Sequence, residues 1–188
     1  LSTAIIILGI AVILIFVANP QFLPFLWIGG TGVGLIAIFL SLESYRLERL
    51  AIWRNPELYE KGYQTMQGLY AIGSGGLFGV GLGESMQKLG FVPEAQNDMI
   101  FSIICEELGL TGAVAVLVIF GLLIWRLMVI ATWTKDLFGA LLAAGVMGHI
   151  MIQVILNVAV VTNTIPNTGI TLPFVSYGGT SVVFLLLE

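Results

Sequence analysis

The sequence predicts an all-α polytopic membrane protein with about six transmembrane helices. Hydrophobic residues make up 58% of the chain and charged residues only 10%, whereas an ordinary soluble domain is about 25% charged. The four longest apolar runs are each close to the ~20 residues that a helix needs to cross a bilayer. Because no segment has the alternating pattern of a barrel strand, helices are the spanning structure that we expect.

The first part of the chain predicts two spans and a polar connector. The spans cover about residues 3–18 and 22–42, and the second is rich in glycine, which allows membrane helices to pack closely. Residues 43–62 alternate charged and apolar side chains and turn at Asn55-Pro56. We therefore expect this segment to be an interfacial helix, with Trp53 at the membrane surface.

The rest of the chain predicts four further spans within one domain, residues 1–188. They are expected at about 63–80, 98–132 (broken near 109–112), 137–161 and 180–188. The span at 63–80 is the weakest because it carries Gln64, Gln67 and Ser74, which are tolerated only if they face protein or a water-filled cavity. Since the chain starts and stops inside apolar segments, we expect it to be a piece of a longer protein.

The basic residues predict the orientation of the chain. Four of them lie between the second and third expected spans, and two at the junction of the fourth and fifth: Arg46, Arg49, Arg54 and Lys61, then Arg126 and Lys135. Cytoplasmic loops collect Lys and Arg, so both junctions are predicted to be cytoplasmic. The loops at 81–97 and 162–179 would then be structured extracytoplasmic loops that share one face and meet in one site.

Asp98 is the strongest candidate for chemistry. It stands before an apolar helix, and Ser102 and Glu106 follow at intervals of four residues, which places the three on one helix face. One interpretation is a general base, since partial burial would raise the pKa of the carboxyl. The other is a helix cap at Asn97 or Asp98. The pattern does not choose between them.

Other polar residues in the two loops are candidates for substrate binding. Lys88 is the one basic residue on the predicted outer face and suits a phosphate or a sugar carboxylate, although a lysine that snorkels to water is an equally ordinary use. The remaining loop side chains either bind a sugar or satisfy their own backbone: Glu94, Gln96, Asn163, Asn167, Ser176 and Tyr177.

Several other patterns carry no functional prediction. The glycines between Gly73 and Gly83 lack the spacing of a nucleotide-binding loop, so a turn and close helix packing are expected there, with a backbone-amide nest for a diphosphate as the alternative. His149 and Cys105 have no partners at metal-ligand or nucleophile spacing. The net charge of -4 gives no reason to expect a nucleic-acid partner.

Several motifs in a fixed order resemble the SEDS family (FtsW, RodA and SpoVE), nearer to FtsW and SpoVE than to RodA. The residues that carry the resemblance are Gly62-Tyr63-Gln64, Ala71-Ile72-Gly73-Ser74-Gly75-Gly76, Gln87-Lys88, Pro93-Glu94-Ala95, Glu106-Glu107-Leu108-Gly109 and Leu172-Pro173-Phe174 with Ser176-Tyr177-Gly178-Gly179. Gln96-Asn97 departs from the His-Thr that often precedes the family's aspartate. The resemblance implies a ten-helix fold, of which this chain looks like roughly the fifth to the tenth helix.

The resemblance implies a peptidoglycan glycosyltransferase of the bacterial cytoplasmic membrane, with extracytoplasmic active-site loops, in cell division, elongation or sporulation. It would polymerise lipid II, with Asp98 as catalytic residue and with Lys88 or a divalent cation (Mg²⁺ or Mn²⁺, with Asp98 as a ligand) stabilising the undecaprenyl diphosphate that leaves. A class B penicillin-binding protein is the implied partner. Two alternatives stay open: a lipid II transporter, and a non-catalytic scaffold for a penicillin-binding protein.

Overall fold

The computed structural model describes residues 2–19, 30, 32, 44–178 and 183, which are helical or irregular and contain no strand. The expected spans at 22–42 and 180–188 lie outside the described residues, apart from isolated positions. The α-helices are α1 (Ser2–Ala18), α2 (Ser44–Arg54), α3 (Tyr63–Gly75), α4 (Ile100–Trp133) and α5 (Leu137–Val161). Short 3₁₀ turns at Pro56–Leu58, Glu60–Gly62 and Gln87–Leu89 complete the connections.

Three apolar helices form the bundle that carries the rest. α4 and α5 are long and apolar enough to cross a membrane, and α1 is a shorter apolar helix of 17 residues. α5 starts at a cap, where the Asp136 carboxylate accepts from the Gly139 N–H at 3.0 Å. α1 runs antiparallel to α5 and packs closely on it through Gly9 and Gly148, as small residues allow in membrane helices.

α4 is broken at Gly109, within the interval where the sequence predicts a break. Gly109 has φ 68° and ψ −167°, a conformation that costs a non-glycine residue energy. Beyond it, the N–H groups of Leu110 and Thr111 donate to the carbonyls of Gly76 and Leu77, at 2.9 and 3.1 Å. Residues 110–133 then rise roughly 35 Å, enough to cross the ~30 Å core of a bilayer.

The helix in the segment 63–80, where the sequence predicts a span, ends at Gly75. α3 has only 13 residues, about 20 Å of helix, which cannot cross a ~30 Å core. It lies beside the first part of α4 and runs in the same direction, with Gly68 against Ser102 and Gly75 against Cys105.

The structure places residues 44–62 and the loop after α5 at the same end of the bundle, whereas the sequence predicts that they lie on opposite faces of the membrane. Trp53 Nε1 donates to the carbonyl of Asn163 at 3.0 Å, so this segment lies at the same end of the bundle as the loop after α5. Lys135, in the α4–α5 junction, lies at the opposite end. Arg49 and Lys61, two of the residues from which that orientation is predicted, line a cavity at this end of the bundle.

Candidate active site

Asp98 lies in the turn before α4, at the end of the bundle where α2, α3 and residues 162–178 meet. Only 8% of the surface of Asp98 is exposed to solvent. The capping interpretation fails, because α4 begins after Met99 and has no side-chain capping hydrogen bond. Asp98 is therefore a buried acid whose contacts lie with other elements.

The polar stripe below Asp98 holds the preceding loop in place. Ser102 and Glu106 are buried, and Ser102 bonds back to the Met99 carbonyl at 2.7 Å. The Glu106 carboxylate accepts from the Ser85 hydroxyl and from the Met86 N–H, the latter at 3.2 Å. This anchor fastens the start of the loop that returns to Asp98.

Gln64, at the start of α3, orients the Asp98 carboxylate. Its Nε2 donates to Oδ1 and Oδ2 of Asp98 at 3.2 and 3.4 Å, and it also lies 3.2 Å from the carbonyl of Pro93. The Gln64 Oε1 in turn accepts from Asn167 Nδ2 at 3.2 Å. One amide therefore connects α3, the turn before α4 and the loop after α5.

Asn157 fixes the backbone of the same turn from α5. Its side chain is fully buried. Its Nδ2 donates to the carbonyl of Asp98 at 2.8 Å and to the carbonyl of Ile170 at 2.7 Å. Because a buried amide that bridges two carbonyls is costly to displace, the position of Asp98 is set by the bundle as well as by the loops.

The environment of Asp98 raises the pKa of its carboxyl above the ordinary value. Burial is the largest cause, because it disfavours the charged form, and the negative charge of Glu94 acts in the same direction. The hydrogen bonds from its own backbone N–H and from Gln64 favour the charged form and oppose the shift. A raised pKa brings the carboxyl nearer to the range in which a general base works best at neutral pH.

Two cavities share Asp98. The first, which we call the basic cavity, has a volume of about 340 Å³ and contains two cationic side chains, Arg49 and Lys61. Its walls also include Ile52, Trp53, Gln64, Thr65, Asp98, Asn163, Asn167, Thr168 and Gly169. It is thus a cavity with both polar and apolar walls and with the carboxylate in one of them.

The second, the tyrosine cavity, has a volume of about 400 Å³. It is lined by Glu94, Asn97, Asp98, Gly169, Thr171, Tyr177 and Gly178. The Tyr177 N–H donates to the carbonyl of Gln96 at 2.8 Å, which joins the loops before α4 and after α5. Asp98 therefore stands between two openings of different charge.

The structure brings Glu94 and Tyr177 to Asp98 and places Ser176 in a supporting position. Tyr177 is 78% exposed, and its ring is available from the tyrosine cavity. Glu94 holds φ 54°, and its carboxylate accepts from Asn97 Nδ2. Ser176 is buried, and its Oγ accepts from the Leu172 N–H at 2.7 Å, so it shapes the loop.

Lys88 and Gln96 lie apart from the carboxylate. Lys88 Nζ forms an ion pair with Glu107 Oε1 at 2.6 Å and also donates to the Gly83 carbonyl at 2.6 Å. Both Lys88 and Gln96 line a third cavity of about 560 Å³, which includes Glu94 but not Asp98.

Four side chains of the site were not singled out as candidates from the sequence: Gln64, Arg49, Lys61 and Asn157. Gln64 stands out as an amide at the start of an apolar segment, within Gly62-Tyr63-Gln64. Asn157 continues the polar face of His149 and Gln153. The two basic residues gave no such signal, because their positions were read as cytoplasmic.

The carboxylates near Asp98 give limited support for a metal. In the part of the chain that the structure describes, no group of three or more His, Cys, Asp or Glu side chains has the arrangement of a metal site. Asp98 and Glu94 do line one cavity. Mg²⁺ is commonly held by one or two carboxylates together with substrate phosphates, so this pair fits a cation that arrives with a phosphorylated substrate.

The sequence matches known proteins along its whole length. Residues 1–188 match the sequence model of the FtsW, RodA and SpoVE family, described as cell cycle proteins. Stage V sporulation protein E of Bacillus subtilis (strain 168) is 44% identical over 190 residues, which cover 100% of this chain and 52% of the relative. A probable peptidoglycan glycosyltransferase FtsW of Coxiella burnetii is 40% identical over 187 residues, 97% of this chain and 50% of the relative.

The fold matches a solved structure as well. A chain from work described as "Structural coordination of polymerization and crosslinking by a peptidoglycan synthase complex" superposes with a TM-score of 0.77 at 29% identity. The match covers 98% of this chain and 52% of the solved one. The chain thus spans about half the length of the curated relatives and of the solved structure that it matches.

Proposed function

The chain belongs to the FtsW, RodA and SpoVE family of membrane proteins. On this premise we propose that the chain is part of a peptidoglycan glycosyltransferase. The complete protein would polymerise lipid II into glycan strands at the outer face of the bacterial cytoplasmic membrane. The names of its relatives, probable peptidoglycan glycosyltransferase FtsW and stage V sporulation protein E, support this activity and a role in division or sporulation.

The observation that carries the proposal is the position of Asp98 between two cavities. Transfer of a glycosyl group needs a donor and an acceptor held together, with the acceptor hydroxyl within reach of a base. The basic and tyrosine cavities both open onto Asp98. Burial raises the pKa of this carboxyl, as suits a general base.

In the proposed reaction Asp98 accepts the proton of the acceptor hydroxyl. That oxygen forms a bond to the anomeric carbon of the lipid-linked donor, and the bond from this carbon to the diphosphate breaks with its electron pair on the diphosphate. Gln64 keeps the carboxylate in one orientation, which lowers the cost of reaching the reactive geometry. Tyr177 and Glu94 would contact the sugars from the tyrosine cavity.

We also propose a divalent cation as a cofactor, Mg²⁺ or Mn²⁺. Asp98 and Glu94 would hold it together with substrate phosphate oxygens. When bound, it would act as a Lewis acid that stabilises the charge of the leaving group. Loss of polymerisation after chelation, restored by Mg²⁺ or Mn²⁺ alone, supports this proposal, and full activity in excess chelator contradicts it.

The proposed partner is a class B penicillin-binding protein. The solved structure with a TM-score of 0.77 is described as part of a complex that coordinates polymerization and crosslinking, and this supports a crosslinking partner for the present protein. Co-purification from membranes with such a transpeptidase tests the proposal, and isolation of the complete protein without one under conditions that preserve known complexes contradicts it.

A polymerisation assay separates the enzyme from the transporter and the scaffold. We expect the complete protein, in detergent with lipid II, to produce glycan strands that a muramidase degrades. A transporter would move lipid II across vesicle membranes without making polymer, and its polar groups would lie near the bilayer midplane. Here Asp98 and Gln64 lie at one end of the bundle, outside the long apolar helices, which favours the enzyme.

A further inference from the structure

The basic cavity has no assigned role in the proposed reaction. The family resemblance suggested Lys88 as the cation for the diphosphate, but Lys88 does not line either cavity that contains Asp98. Arg49 and Lys61 do line one, together with Asp98. Among the residues that the structure describes, the cations that line a cavity with Asp98 therefore come from α2 and the turn before α3.

We propose that the basic cavity is the subsite for the diphosphate of the lipid-linked donor, held by Arg49 and Lys61. This inference rests on the proposed glycosyltransferase activity and assigns one of its two substrates to one of the two cavities.

The charge of the cavity suits a phosphorylated ligand. Among its lining residues two are cationic, Arg49 and Lys61, and one is acidic, Asp98, whose charge burial disfavours. A guanidinium binds phosphate oxygens through two parallel hydrogen bonds, and an ammonium adds a compact positive charge. The first turn of α3 also lines the cavity through Gln64 and Thr65, so the helix dipole adds to the positive potential.

The chemistry assigns this diphosphate to the donor. The bond that breaks joins the donor's anomeric carbon to its diphosphate, so that diphosphate must lie close to the acceptor hydroxyl and in a cavity that adjoins Asp98. The diphosphate of the acceptor lies at the other end of a disaccharide from the attacking hydroxyl. The tyrosine cavity contains a carboxylate, Glu94, and no Lys or Arg, so its own side chains suit the acceptor's sugar and offer no positive charge to a diphosphate.

Binding of farnesyl diphosphate to the complete protein in detergent tests the subsite without any turnover. We expect Arg49→Gln and Lys61→Gln each to weaken binding about tenfold or more, the effect of losing one charge-assisted hydrogen bond. Arg126→Gln and Lys135→Gln are matched controls, because both side chains are exposed and belong to the far part of α4 and the α4–α5 junction. Arg49→Lys, which keeps the charge, should retain more affinity than Arg49→Gln.

Two competitors identify the chemical group that is recognised. Inorganic diphosphate should displace farnesyl diphosphate, whereas farnesol should not compete at the same concentrations. Competition by farnesol alone would show that the prenyl chain dominates binding and would overturn the proposal. Unchanged affinity in both Arg49→Gln and Lys61→Gln would also overturn it, as would a loss confined to Lys88→Gln.

The experiments distinguish a failure of the diphosphate subsite from a failure of the proposed function. If the wild-type protein made no glycan but Arg49→Gln and Lys61→Gln lost farnesyl diphosphate, the diphosphate subsite would stand and the glycosyltransferase proposal would fall. If the wild-type protein polymerised lipid II but both variants bound farnesyl diphosphate normally, the activity would stand and the subsite would fall.

Discussion

Gln64 Nε2 lies 3.2 Å from Asp98 Oδ1, while Gln64 Oε1 accepts a hydrogen bond from Asn167 Nδ2, also at 3.2 Å. Gln64 and Asp98 are separated by 34 positions in the sequence. Their contact forms because α3 runs beside the first part of α4 in the same direction, which brings the starts of both helices together. The orientation of the buried carboxylate therefore depends on an amide from a helix that does not cross the membrane.

Replacing Gln64 should change the pH dependence of polymerisation. The Gln64 hydrogen bond favours the charged form of Asp98 and so opposes the rise in its pKa. In Gln64→Met the pKa of Asp98 should rise further, and the acid limb of the rate–pH profile should move to higher pH. The rate at neutral pH should fall about tenfold, as expected for one lost hydrogen bond to a charged group.

Gln67→Met provides the control for this variant. Gln67 lies on the same helix and lines neither cavity that contains Asp98, so its profile should match that of the wild type. A Gln64→Met enzyme with a lower rate but an unmoved acid limb would show that Gln64 only supports the fold, contrary to our account.

Asp98→Asn should increase the stability of the folded protein at neutral and alkaline pH. The folded-state pKa of Asp98 lies above its ordinary value of 3.8. The wild-type protein is therefore most stable at a pH below 3.8, and it loses stability as the pH rises through the folded-state pKa. Asparagine stays neutral and avoids this loss. Thermal unfolding in detergent should therefore show an advantage for Asp98→Asn that is absent at pH 3 and grows toward pH 8; an equal advantage at all pH values would contradict the burial argument.

The neighbouring acids Glu106 and Glu107 should differ in their effect on stability. Glu106 is buried and accepts from Ser85 and from the Met86 N–H, so Glu106→Gln should cost about 1–3 kcal/mol and loosen the loop at 81–97. Glu107 forms a partly exposed pair with Lys88, so Glu107→Gln should cost about 1 kcal/mol or less. Limited proteolysis of this loop, with thermal unfolding, measures both; equal effects would count against the anchoring role of Glu106.

Two glycines in α3 should respond in opposite directions to alanine. A Cβ at Gly75 would collide with the carbonyl of Cys105 in α4, so Gly75→Ala should destabilise the protein by about 1–3 kcal/mol. Gly73 is exposed and has open space around it, so Gly73→Ala should stabilise the helix by up to about 1 kcal/mol. The unfolding temperatures of the two variants, each compared with that of the wild type, measure these effects. An unchanged unfolding temperature for Gly75→Ala would contradict the close packing of α3 on α4.

The elements that could be predicted from the sequence are those with a local cause. Residues 137–161 form a helix with the expected bounds, because a continuous apolar run follows the capping residue Asp136. The break in α4 falls at Gly109, where only glycine adopts the required backbone conformation at low cost. Asp98 stood out because a carboxylate at the start of an apolar helix is rare.

The elements that could not be predicted depend on tertiary packing. Apolarity alone does not distinguish a helix that crosses a membrane from α3, whose 13 residues pack against α4. Arg49 and Lys61 were counted as cytoplasmic charges, since nothing local shows that a basic residue lines a cavity. Gln64 was one polar residue among several until α3 brought it to Asp98.

Polymerisation of lipid II by Asp98→Asn tests the role of the carboxylate most directly. Asparagine preserves size and can still accept from Gln64, but it cannot take the proton of the acceptor hydroxyl. We expect a loss of at least about 100-fold in rate, within the range that general bases contribute, with normal binding of farnesyl diphosphate. Asp136→Asn, the same change at the opposite end of the bundle where asparagine is also a good cap, should keep full activity. Glycan formed by Asp98→Asn at the wild-type rate would contradict the account.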